Sequence, residues 1–199
     1  LTLLLTRAIG QEEQLMELYE VMRTTFAARE YTGETLSDKT LYEILENARF
    51  APSGGNRQGN HVIVVRKDET RSALVKLLEP AAKRYHAQVR AGESPWNTIS
   101  PTKVTAEDIE KAPAPTRLME PYKTASVLLV ITVDLKVVAS MDQYLDRVGI
   151  ISGASIYPFA WNILLAARQA GFGGTITTLA AAEEPHVQKL LNVPSEHAI

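Results

Sequence analysis

The chain has 199 residues, 45% hydrophobic and 22% charged, with 21 basic against 23 acidic side chains and a net charge of −2. That length and composition support one sizeable core in a single α and β domain, and the charge balance gives no ground for a nucleic-acid or anionic-membrane partner. The absence of cysteine excludes disulfides, thiolate metal sites and Cys nucleophiles, and it fits a reducing cytoplasm.

The opening LTLLLT is too short for a signal-peptide core and lacks a basic start, so it reads as the trimmed beginning of a longer chain. Over residues 11–28, Leu15, Leu18, Tyr19, Met22 and Phe26 recur at helical spacing and predict an amphipathic helix. Ser37 is placed to cap a second helix through Leu41, Ile44, Leu45 and Ala48, stopped by Pro52. The stretch 51–60, APSGGNRQGN, then links that helix to a predicted buried strand, HVIVVR at 61–66. A loop this rich in Gly, Ser and Asn between regular elements is the first candidate for a ligand site.

Residues 68–90 predict a long charged helix. Between 92 and 122, five prolines break all regularity except a short helix near 105–111, the pattern of a lid or an unstructured segment. ASVLLVITVD at 125–134 predicts a central strand. A loop at 141–146 leads to an apolar helix at 148–170, which Pro158 is expected to kink near Ala154. Its apolar tract, 150–167, contains Ser152, Ser155, Pro158 and Asn162, which argue for a buried helix over a membrane span. Gly171, Gly173 and Gly174 predict its C-cap, followed by a short strand at 175–179 and a final helix at 183–191 closed by Asn192 and Pro194. Residues 197–199 read as the first part of a further strand, which leaves the sheet an open edge.

The chemistry is sparse. The glycines at 171–174 follow a helix and precede a strand, the reverse of a phosphate-binding loop, so a C-cap is the reading, although they leave room for backbone amides to approach a flat ligand. His61, His86, His186 and His197 share no metal or dyad spacing, and neither Ser53 nor Ser155 lies in a nucleophile elbow. With no nucleophile, metal or acid–base pair, an organic cofactor that brings its own reactivity is the remaining solution.

ILENARFAPSGGNRQ followed by a strand, together with the later GASIYPFAWNILLAARQAGFGGTITTL, resembles the FMN-dependent nitroreductase family over about 22–194, with the later stretch similar to an actinobacterial-type branch. The resemblance implies an α+β fold, with a mixed, mainly antiparallel sheet flanked by helices and a long central apolar helix around Trp161 at a homodimer interface. It implies two FMN molecules at that interface and a ping-pong cycle carrying hydride from NAD(P)H through the flavin to a nitroaromatic, quinone or similar small acceptor. By position, Arg29 matches the basic residue near the flavin pyrimidine edge, where it would stabilise the anionic reduced ring. Pro52, Ser53, Gly54, Asn56 and Gln58 match a loop that one subunit lends to its partner's flavin. Thr177, Thr178 and Leu179 match the segment whose backbone amides lie near flavin N5. Where many relatives carry a basic start for the phosphate, this chain has Thr25-Phe26-Ala27, with Arg23 one turn earlier, and Gly59-Asn60 replaces a frequent Pro-Trp. The chain stops at Ile199, before the family's closing strand and basic tail residue, so the expected unit is one nitroreductase-like domain over 1–199 lacking that strand. A flavin-binding or flavin-sequestering relative without turnover, and a relative using flavin for dehalogenation, stand as alternatives.

Overall fold

Residues 1–7 and 16–199 are described in a computed structural model of the chain. The order is β1 (Thr2–Arg7), α1 (Leu18–Thr24), α2 (Asp38–Ala48), β2 (Asn60–Val65), α3 (Asp68–Arg90), α4 (Ala106–Lys111), α5 (Thr116–Thr124), β3 (Val127–Asp134), α6 (Tyr157–Gln169), β4 (Phe172–Thr177), α7 (Leu179–Ala182), α8 (Glu184–Leu191) and β5 (His197–Ala198). The result is an α+β fold. The strands lie in the order β2-β3-β1-β4, with β5 also on β3, and all these pairings are antiparallel.

The two faces of β3 explain the layering. Seven of its eight residues are buried, as a strand covered on both sides requires. Leu129 and Ile131 pack with Leu3 and Leu5 of β1 against Ile44 of α2 and Ile163 of α6. Leu128 and Val130 pack with Leu4 on the opposite face, against Leu74 and Leu78 of α3, Tyr122 of α5 and Val187 of α8.

β1 is the element absent from the expectations above. Its Leu3 lies between Leu129 of β3 and Ile176 of β4 and is fully buried. LTLLLT shows no apolar–polar alternation because both of its faces are covered. Along β3, His197 and Ala198 face Asp134 and Val133, Ile131 N donates to Leu1 O at 2.6 Å, and Thr2 faces Val130. β5 and β1 therefore follow one another along the same side of β3.

Other expectations change, among them the 92–122 segment, which also holds α5. The predicted helix at 11–28 is helical only over Leu18–Thr24, and its part at 8–15 lies outside the described residues. Its apolar side chains are exposed: Leu18 by 64%, Tyr19 by 70% and Phe26 by 61%, while Val21 is the buried one. The apolar helix begins at Tyr157, because Pro158 occupies its first turn, where no backbone N–H is needed, and a 3-10 turn (Ile151–Ser155) precedes it. β2 is a sheet edge of mostly intermediate burial, Val62 and Val64 packing on one core and Ile63 and Val65 on the other.

Ser37 caps α2 as expected, its Oγ accepting from Thr40 N at 3.1 Å, and Asn192 closes α8 with φ 53°. Among the described residues no helix is long and apolar enough to cross a membrane.

Candidate functional site

The site is built on the outer edge of β4. Ala27 forms a parallel bridge with Gly174, and Ala28 N donates to Gly174 O at 3.0 Å, which lays the 26–29 segment against the strand. Tyr31 fixes this path by donating from its hydroxyl to Ala28 O at 3.1 Å. Arg29 is held half-buried beside the end of β4, its Nη1 donating to Ala27 O at 3.1 Å, and no carboxylate pairs with it among the described residues.

Gly174 is needed for packing within the sheet. A Cβ there would stand 2.5 Å from Leu4 O and 2.9 Å from Leu164 Cδ2, so this position makes room for β1 and α6 and not for a ligand. Gly171, with φ +79°, makes the helix C-cap, whereas Gly173 and Gly174 belong to β4. The predicted strand at 175–179 likewise ends at Thr177, and Leu179 opens α7.

Arg29, Thr177, Thr178 and Leu179 come together in one cleft of about 280 Å³. Its other walls are Tyr122, Leu118 and Arg117 from α5, Tyr85 from α3, and Trp96. A second cleft of about 660 Å³ shares Arg29, Arg117 and Pro121 and extends over Phe26, Ala27 and Ala28. The first cleft has no carboxylate in its lining, while Glu30 and Glu120 border the second.

Burial keeps both tyrosines of this region protonated. The Tyr31 hydroxyl is pushed up to about 12, with nearby Arg29 opposing the shift, and Tyr122 is raised further by its deeper burial. Tyr122 Oη and Thr177 Oγ1 share a hydrogen bond of 2.8 Å, which orients the threonine at the cleft. These groups can donate hydrogen bonds but hold no proton loosely enough to act as a general base near neutrality.

Pro52, Ser53, Gly54, Asn56 and Gln58 do not join that cleft. Their loop is anchored to the turn before α6: Gly54 N donates to Ser155 Oγ at 2.9 Å and Asn60 Nδ2 to Ser155 O at 3.0 Å. Ser53 Oγ accepts from Gln58 N at 2.9 Å, and Gln58 Nε2 reaches Asn56 Oδ1 at 3.2 Å. Asn56 and Gln58 both hold left-handed backbone, with φ 53° and 49°, uncommon for residues with a side chain. Pro52, Gly54, Asn56 and Gln58 are exposed. Gly59 is explained by contact, since a Cβ would lie 2.5 Å from Val137 Cγ2 and 3.2 Å from Asp134 O.

Arg117, Trp96, Tyr85 and Tyr122 were not legible as site residues. Trp96 and Arg117 lie in the proline-broken 92–122 segment, where no periodicity marks a face. That segment is pinned to α3: Glu93 accepts from Thr102 Oγ1 and Lys103 N, each at 2.6 Å, and from buried Gln88 at 3.3 Å. A capping box between Thr105 and Asp108 starts α4. His61 and His197, unrelated in sequence, meet with ring centroids 4.9 Å apart.

A helix-flanked antiparallel sheet with a cationic, aromatic-walled cleft at its edge strand defines an α+β protein with a concave candidate site. The nitroreductase family model matches residues 22–199, and the chain belongs to that family. No curated protein matches it in sequence. Among solved structures, an iodotyrosine deiodinase bound to FMN and 3-iodo-L-tyrosine is 20% identical with a TM-score of 0.60, over 91% of this chain and 84% of that one. A variant of the FMN- and NADPH-dependent nitroreductase NfnB from sphigopyxis sp. strain HMH is 19% identical with a TM-score of 0.63, over 92% and 84%. An FMN-bound nitroreductase from Desulfitobacterium hafniense is 23% identical with a TM-score of 0.58, over 95% and 85%.

The residues of the first cleft suit the ring of an FMN. An unpaired guanidinium suits a ring edge that becomes negative, threonine hydroxyls suit its polar rim, and aromatic walls suit its faces.

Proposed function

We propose that the chain is an FMN-dependent oxidoreductase that carries hydride from NAD(P)H to a nitroaromatic, quinone or similar small acceptor in a ping-pong cycle. The observation that carries this reading is the cleft in which Arg29 meets Thr177, Thr178 and Leu179 without any carboxylate in the lining. FMN, when bound, supplies the two-electron chemistry. Arg29 opposes the negative charge that develops at the ring edge, and Thr177, oriented by Tyr122, offers a hydroxyl to the polar rim. NADPH is named for one structural neighbour, which favours a nicotinamide donor. The absence of cysteine is compatible with a cytoplasmic setting.

The active unit in this reading is a homodimer. Leu18, Tyr19, Met22 and Phe26 of the α1 region are exposed together with Phe50, Tyr157 and Trp161, more apolar surface than a monomer usually leaves in water. Pairing across this surface would bring the Pro52–Ser53–Gly54 turn with Asn56 and Gln58 to the partner's flavin, which accounts for a loop that is anchored yet remote from its own chain's cleft.

A second reading, flavin held without turnover, is favoured by Thr25-Phe26-Ala27, of which Phe26 and Ala27 line the second cleft where a cation would serve the phosphate. The test is the absorbance spectrum of purified protein under anaerobic NAD(P)H. Bleaching, with recovery on adding a nitroaromatic or quinone, supports the oxidoreductase; persistent yellow supports the second reading. A colourless protein that takes up no added FMN refutes both.

A further inference from the structure

We propose that Trp96 and Arg117 form the acceptor subsite of the first cleft and select a planar aromatic acceptor carrying a negative charge, with a benzoate-type carboxylate as its simplest case. This rests on the flavin reading, in which Arg29 and the 177–179 segment serve the cofactor.

Trp96 is held in an unusual state. Its φ is +57°, a region that bulky residues rarely adopt unless the surroundings enforce it. The enforcement is visible: Trp96 N donates to Oε1 of buried Gln88 at 3.3 Å, and Gln88 Nε2 is tied to Glu93, the carboxylate that also gathers Thr102 and Lys103. Those hydrogen bonds hold the Glu93 carboxyl below its ordinary range, Thr102 contributing most. The indole thus lines the cleft from a fixed position.

One cation stacks on this ring and another lines the same cleft. The Arg84 guanidinium lies 4.1 Å from the indole centroid, and its buried Nε has no hydrogen-bond partner. Arg117, from α5, lines both clefts and has no hydrogen bond or ion pair among the described residues. Because no carboxylate lines the first cleft, the charge there is of one sign in a protein that is net negative overall. A one-sign concave site raises the local concentration of the opposite charge. A flat apolar ring and an unpaired guanidinium in one cleft are the complement of an aromatic carboxylate: the acceptor's ring stacks on Trp96 and its anion meets Arg117 in a charge-assisted pair.

The test uses FMN-loaded protein, oxidised, titrated with 4-nitrobenzoate and with its neutral analogue 4-nitrobenzamide while the flavin absorbance is followed. The native chain is expected to prefer the carboxylate by roughly 10- to 100-fold, the value of a charged hydrogen bond. Arg117→Ala should abolish the preference by weakening the carboxylate far more than the amide, Arg117→Lys should restore part of it, and Trp96→Leu should weaken both compounds. Equal binding of the two compounds by the native chain overturns the proposal. In parallel, FMN and riboflavin are titrated into flavin-free protein. If Arg117→Ala weakens FMN but not riboflavin, Arg117 serves the cofactor phosphate and the proposal fails while the flavin reading stands; if no flavin binds at all, both fall.

Discussion

Replacing Gly174 by Ala tests the packing that holds the candidate site. The added methyl would meet Leu4 O at 2.5 Å, Leu5 Cδ2 at 2.7 Å and Leu164 Cδ2 at 2.9 Å, all closer than real Cβ contacts. Two of the three are side chains, but Leu4 O belongs to the backbone of β1, which is clamped between β3 and β4. Neither side can yield cheaply, because Leu4, Leu5 and Leu164 are buried. Overpacking of this kind costs about 1–3 kcal/mol, and in a chain of this length each kcal/mol lowers Tm by about 2–4 °C. We therefore expect thermal unfolding followed by circular dichroism to show a drop of roughly 2–12 °C. Gly171→Ala is the comparison: it meets nothing within 4 Å and pays only for its φ of +79°, about 1 kcal/mol. A Gly174→Ala protein no less stable than Gly171→Ala would refute the packing role and return the glycine to the ligand.

Further expectations concern the cofactor, the dimer and the loops. Arg29→Ala should weaken FMN binding by roughly tenfold or more and make the bound flavin harder to reduce, whereas Arg29→Lys retains part of both effects; fluorescence titration and spectroelectrochemistry read them. Trp161→Glu should shift the protein from dimer to monomer in analytical ultracentrifugation, since a charge on the exposed apolar face opposes its burial. Ser37→Ala should cost about 1 kcal/mol in urea unfolding, because α2 loses the hydrogen bond to Thr40 N. Asp142 accepts from Ile150 N and from Arg147 Nη1, both at 2.7 Å, and these bonds hold its carboxyl down to about 2, the backbone amide of Ile150 contributing most. Since the folded value lies below the unfolded one of about 4, its stabilisation is complete above that value and disappears as pH falls toward 2. The stability gap between the native chain and Asp142→Asn should therefore be constant above about pH 5 and close in that window.

Much of the fold was legible because local chemistry and burial agree. β3 reads as an apolar run because both of its faces are covered, α3 as a charged periodic helix, and Ser37 and Asn192 mark helix ends that they do cap. The opening strand was not legible, since LTLLLT has the composition of many things and becomes a strand only through partners more than a hundred residues away. The α1 stripe misled for the opposite reason: helical spacing signals a face to be covered, and within one chain that face stays exposed. At the site, Arg29 and the 177–179 segment were reached through the family resemblance, and the fold gathers them. Trp96 and Arg117 depend on the course of a proline-broken segment pinned by Glu93, which no short-range pattern encodes.

The most direct test of the central claim is the anaerobic visible spectrum of the purified protein before and after NADPH or NADH. A bound flavin should bleach with the nicotinamide and recover its absorbance when a nitroaromatic or quinone is added. A flavin that stays oxidised, or a protein that takes up no FMN, would contradict it.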